Sequence, residues 1–122
     1  MTDALVAFLR ARLDDDEKVA RAADPELSHV FTRIATFDPE MAADERHIMR
    51  QDPARTLRDV EAARAVLDLY EEAGDRMDRA MKDSDTVAYQ EARIEQRTLR
   101  KVLLSEAAVH EAHPDYLEEW RP

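Results

Sequence analysis

Two groups of carboxylates are spaced to do chemistry. Asp14-x-x-Glu17 and Glu72-x-x-Asp75-x-x-Asp78 each place acids one helical turn apart. Paired acidic steps on adjacent helices hold Mg²⁺ in all-α nucleotide pyrophosphohydrolases, where the metal offsets charge developing on phosphate. Asp14, Glu17, Glu72 and Asp75 are therefore the metal candidates, and Mg-dependent nucleotide hydrolysis is the enzyme reading they would serve. Against it, no Glu-x-x-Glu step precedes Glu72, and Arg10, Arg21, Arg76 and Arg79 can pair with these acids instead. A solvated, charge-paired face is the simpler expectation.

Histidine offers three further groupings. Glu26-x-x-His29 has the spacing that presents ligands to a di-iron centre in helical bundles, but such a centre needs a second copy of the motif, and none exists. Glu106, His110 and His113 cluster near a helix end and would at most hold an adventitious transition metal. His47 precedes Asp52 by five residues, which suits a corner between helices better than a catalytic pair, since no recognisable motif places a nucleophile beside it. The absence of cysteine excludes thiol chemistry, zinc-thiolate sites and disulfides. A single glycine cannot build a phosphate-binding loop. The residues thus assemble no catalytic set and call for no cofactor.

The elements that would position these side chains are helices. Of 122 residues, 38% are charged, 44% hydrophobic and 6% aromatic, a composition that favours a single all-α domain with an aliphatic core. Asp-Pro occurs at Asp24-Pro25, Asp38-Pro39 and Asp52-Pro53. Asp suits an N-cap and Pro the first helical position, so each pair predicts a helix start. Helices are expected over about 3–23, 25–36, 39–51, 53–82 and 85–112, followed by a tail over 113–122. Val30 to Phe37 also has strong β propensity, so an extended stretch competes there.

The best apolar pattern is Val60, Ala63, Leu67, Tyr70, Gly74, Met77 and Met81, the seam of an antiparallel helical pair. Asp83-Ser84-Asp85 would end one helix and cap the next. In the following helix Val87, Tyr89, Ala92 and Ile94 make no single stripe, whereas Leu99, Val102, Leu103, Leu104 and Ala107 do better. In the first helix the inward residues are expected to be Leu5, Phe8, Leu9, Leu13, Val19, Ala20 and Ala23. The tail is expected to dock Tyr116 or Leu117 together with Trp120. The fold class is therefore an all-α helical bundle built on a long antiparallel hairpin, resting on Val60, Leu67, Tyr70, Leu99, Val102, Leu103 and Trp120.

The formal charge of −10 makes binding to duplex nucleic acid an unfavourable expectation. No apolar run approaches the length of a membrane span and no basic leader precedes Leu5, so a cytoplasmic location is expected.

Two segments carry a family resemblance. His47-Ile48-Met49-Arg50-Gln51-Asp52-Pro53-Ala54-Arg55-Thr56-Leu57 and His113-Pro114-Asp115-Tyr116-Leu117-Glu118-Glu119-Trp120-Arg121-Pro122 resemble the hallmarks of small actinobacterial and actinophage proteins of unknown function. Phe8 to Glu17, with Ala20 to Ala23, looks like that family's opening helix. Between Pro25 and Phe37 this chain lacks the Gly and Trp that relatives carry in an extended stretch. A more distant similarity is to Ead-like accessory proteins of phage early regions. The resemblance implies an accessory protein of phage or mobile-element type and no assigned reaction. A protein-protein interaction module, self-associating as a homodimer, is the favoured expectation. Nucleotide hydrolysis and an acidic decoy that mimics nucleic acid to occupy a host protein are the alternatives.

Overall fold

The computed structural model describes residues 3–37 and 52–122. All regular structure among them is helical: α1 (Ala4–Phe37), α2 (Pro53–Lys82), α3 (Thr86–Ala108) and a 3₁₀ turn, Glu118–Trp120. The chain forms two compact units, Met1–Ala11 with Arg64–Pro122, and Arg12–Ala63.

The first unit is built on the hairpin of α2 and α3. Its turn is fixed by three consecutive residues. Ser84 has φ 53°, the left-handed conformation that closes a helix. Its N–H donates to the Met81 carbonyl at 3.2 Å, and the Asp85 N–H donates to the Ala80 carbonyl at 2.9 Å. Asp85 then caps α3, its Oδ1 accepting the Ala88 N–H at 3.0 Å. One turn of chain thus satisfies both helix ends, as Asp83-Ser84-Asp85 predicts.

Pairs across the hairpin show its direction. Arg76 Nη2 donates to Glu95 at 2.7 Å, and Arg100 Nη1 donates to the Tyr70 hydroxyl at 3.2 Å. Residues later in α2 meet residues earlier in α3, so the helices run antiparallel. The same register sets Leu67 level with Leu103, and both are fully buried. Gly74 fits this pairing closely, since a Cβ there would lie 2.8 Å from Gln96 Nε2.

Leu5, Val6, Phe8 and Leu9 from α1, Tyr70, Ala73 and Ala80 from α2, Ala92 and Ala107 from α3, and Trp120 complete this unit's core. The seam expected on α2 is correct at Val60, Leu67 and Tyr70, but its last member, Met81, is 65% exposed. Burial shifts instead to Ala73 and Ala80, small side chains that suit the close approach of two helices near their turn. Val102 is another correction: it lies outward, whereas its neighbour Leu103 is fully buried.

In the second unit, Ala20 and Val60 are buried, Arg21 donates to Glu17 at 3.0 Å, and Arg12 pairs with Asp15 at 3.3 Å. Val19, expected inside, is exposed. Val6 is the inward residue that the expected stripe omitted.

The three Asp-Pro pairs behave differently. Asp52 Oδ1 accepts the Ala54 N–H at 3.0 Å, and α2 begins at Pro53, as expected. No helix begins at Pro25, because α1 runs unbroken to Phe37. The expected helices over 3–23 and 25–36 are therefore one element, and the extended alternative for 30–37 is not adopted. Ala20, Ala22 and Ala23 are strong helix formers, so the helix reaches Pro25 already formed, and proline removes one hydrogen bond without ending it. Asp38-Pro39 and the expected helix over 39–51 lie outside the described residues.

Toward its C-terminal end α3 stops at Ala108 and not at 112. The N–H groups of His110 and Glu111 bond back to Ala107 and Ala108 at 2.9 and 3.2 Å, the tighter three-residue spacing that unwinds a helix ahead of Pro114.

Candidate interaction surface

The acids proposed from sequence are mostly neutralised or solvated. In the first unit Asp75 and Asp78 line an open hollow of about 480 Å³ with Asp3, Tyr70, Glu71, Gly74 and Gln96. Arg10 donates to Asp68 at 2.9 Å and to Glu71 through both Nε and Nη2. These carboxylates raise the Arg10 pKa above its ordinary value, chiefly through the Glu71 hydrogen bonds. Glu72 faces solvent. In the second unit Asp14 is exposed, and Glu17 accepts from Arg21. Among the described residues no group of three or more His, Asp or Glu side chains is placed to hold a metal ion.

One polar group at the edge of this hollow is structural and was not foreseen. The Tyr70 hydroxyl donates to Asp3 Oδ2 at 2.8 Å, and Arg100 Nη1 donates to the same oxygen at 3.3 Å. Asp3 Oδ1 meanwhile caps α1 by accepting the Leu5 N–H at 2.9 Å. One carboxylate therefore ties the start of α1 to the middle of α2 and of α3. Burial and the Asp3 hydrogen bond raise the Tyr70 pKa, so its phenol stays protonated and donates. Sequence patterning did identify Tyr70 as a core residue, but Asp3 and Arg100 are 97 positions apart and share no motif.

His110 and His113 serve packing. Phe8 sits among His110, His113, Tyr116 and Trp120, with ring centroids 6.0, 5.7, 6.1 and 5.1 Å away. Tyr116 and Trp120 meet edge to face at 5.6 Å. Such arrangements exploit the ring quadrupoles and contribute about 0.5–1.5 kcal/mol per pair beyond burial. The tail therefore docks through Tyr116 and Trp120, while Leu117 is exposed. His113 Nδ1 also accepts the Asp115 N–H at 3.0 Å, which shapes the bend before the 3₁₀ turn. Glu106, the third member of the expected cluster, has its pKa raised by burial alone. The side chains of Glu26 and His29, and all of His47, lie outside the described residues.

Among the described residues of the first unit, Leu69, Met81 and Leu117 are exposed, and four further apolar side chains gather on the outward side of α3. Val87 is 70% exposed, Ile94 63%, Val102 41% and Val109, just past the helix, 80%. At about 100° per residue these positions fall within an arc of ~80°, shared by Glu91, Thr98 and Ser105. The two hydroxyls turn back onto the helix: Thr98 Oγ1 donates to the Ile94 carbonyl at 3.0 Å, and Ser105 Oγ to Lys101 at 3.1 Å. Their protons are thereby satisfied without water, and the stripe is less polar than its sequence implies. The irregular pattern of Val87, Tyr89, Ala92 and Ile94 is two patterns superposed, Ala92 buried and Tyr89 half-buried inward, Val87 and Ile94 outward.

The chain belongs to a family of unknown function, DUF6221, whose match covers residues 2–122. No curated protein and no solved structure matches it. Among the described residues no helix is long and apolar enough to cross a membrane.

Proposed function

We propose that this member of the family is a non-enzymatic interaction module that self-associates through the outward face of α3. The observation that carries this reading is the stripe of Val87, Ile94, Val102 and Val109 on the side of α3 opposite Ala92, Leu103 and Ala107. A helix that serves only its own core presents charge on its far side. Here the far side carries four exposed aliphatic side chains, interspersed with Glu91, Thr98 and Ser105, over a span of about 33 Å from Val87 to Val109.

A second copy is the occupant that the charges favour. Along one edge of the stripe stand Arg97 and Lys101, with Gln90; along the other stand Glu95 and Glu106. Such a surface carries its own electrostatic complement. That match offsets, locally, the repulsion between two chains each with formal charge −10. The resemblance of the segments around Pro53 and Pro114 to small actinobacterial and actinophage proteins supports an accessory role of phage or mobile-element type.

A single helix face makes a modest interface, so the expected dissociation constant is on the order of 1–100 μM. Sedimentation equilibrium from about 5 to 500 μM reads this directly. A mass rising from one chain to two supports the proposal. A single-chain mass throughout would reject it.

A further inference from the structure

We infer that the two copies pair α3 with α3 in parallel and in register, around a two-fold axis running along the helices. The inference rests on the self-association proposed above and specifies its geometry.

Spacing is the first argument. The outward positions follow steps of four, three and four: Val87, Glu91, Ile94, then Thr98, Val102, Ser105, then Val109. This is an eleven-residue repeat, close to the 3.6-residue period of a straight helix. A seven-residue repeat would instead drift across the surface and demand a left-handed supercoil. Two such helices keep their stripes facing over the full length of α3 with only a shallow right-handed supercoil.

The edge charges favour one direction, although it sets Glu91 level with Glu91 of the second copy. In a parallel pair about an axis along the helices, the left edge of one copy faces the right edge of the other. Arg97 then lies about two residues, ~3 Å along the axis, from the level of Glu95 on the second copy, and Lys101 about five residues from Glu106. Those are distances that long basic side chains cover. In an antiparallel pair each edge faces itself. With the stripes centred on Thr98, Arg97 would fall within about two residues of Lys101. The basic edge would then oppose like charges, an arrangement unfavourable in any helical pairing. Glu95 already accepts from Arg76 at 2.7 Å within its own chain, so the second cation adds to a carboxylate held in place.

Parallel pairing has a consequence for function. It brings the two hairpin turns at Ser84 to one end of the dimer and the two aromatic-docked tails to the other. The tails, carrying His113 to Pro122, are then displayed as a pair, and a ligand recognising one tail would meet two.

The native chain has no cysteine, so single introduced thiols report the geometry without background. Val87→Cys and Val109→Cys are exposed substitutions that leave the core intact. Under mild oxidation at 200 μM, each variant alone is expected to give a disulfide-linked dimer as its main product. An equimolar mixture is expected to give the two like-with-like products and at least tenfold less of the 87-to-109 product. Predominant 87-to-109 linkage would mean an antiparallel pair and overturn the inference while leaving self-association intact. A dimer by sedimentation that links through neither thiol would overturn it as well, placing the interface elsewhere. As a second readout, Arg97→Glu is expected to weaken dimerisation at least tenfold, and an unchanged dissociation constant would contradict the charge argument.

Discussion

The two sides of α3 have similar residue types and opposite fates. Inward, Ala92, Leu103 and Ala107 are at most 2% exposed; outward, Val87, Ile94, Val102 and Val109 remain between 41% and 80% exposed. Both sides are aliphatic, so hydrophobicity alone does not identify the core. What separates them is register with α2: Leu103 is level with Leu67, whereas Val102, one residue earlier, points away. A core position is chosen by its partner across the hairpin, and an apolar position without such a partner is available to another molecule.

Four substitutions sharpen that contrast, and the deepest position should show the largest effect. Leu103→Ala removes a fully buried side chain and leaves a cavity, so it should cost about 2–5 kcal/mol in urea unfolding. A cost under about 1 kcal/mol would mean that the inward side is not the core. Tyr70→Phe keeps the ring and deletes the hydroxyl that donates to Asp3. Because that acceptor is charged, a loss of about 1–2 kcal/mol is expected, reduced by the partial exposure of the group. Asp85→Ala removes the cap of α3 and should cost about 1 kcal/mol, visible as a lower urea midpoint with unchanged slope.

The smallest expected effect concerns pH. Burial raises the Glu106 pKa above its ordinary value, so the folded chain holds this proton more tightly than the unfolded chain does. Stability attributable to this group therefore falls as pH rises through the ordinary Glu range, and stays reduced above the folded pKa. Glu106→Gln should raise the thermal midpoint slightly at pH 7, and the gain should vanish below about pH 4. A gain that persists at low pH would assign the effect to something other than charge.

The sequence made much of the fold legible, through local rules. Pro53 with Asp52, and the turn at Asp83-Ser84-Asp85, are each decided within a few residues, so the bounds of α2 were readable to the residue. The same rule failed at Asp24-Pro25, because whether proline starts a helix or sits within one depends on the turn before it. Non-local features were less accessible. Asp3, Tyr70 and Arg100 come together from three segments, and the packing of Phe8 against the tail spans more than a hundred positions. The acids proposed for metal binding were visible as motifs, but spacing along one helix says nothing of what surrounds each acid: Glu17 accepts from Arg21, and Glu72 faces solvent. The outward stripe of α3 was present in the sequence as an irregularity, and only the inward register turned it into two patterns.

The central claim, that the outward side of α3 seats a second copy, is tested most directly by Ile94→Asp combined with Val102→Asp. Sedimentation velocity and far-ultraviolet circular dichroism should be recorded on this variant and the native chain at the same concentrations. The account predicts a native dimer and a monomeric variant of undiminished helicity, with stability at low concentration changed by less than about 0.5 kcal/mol. A variant that dimerises as the native chain does, or that loses its helices along with the dimer, would contradict it.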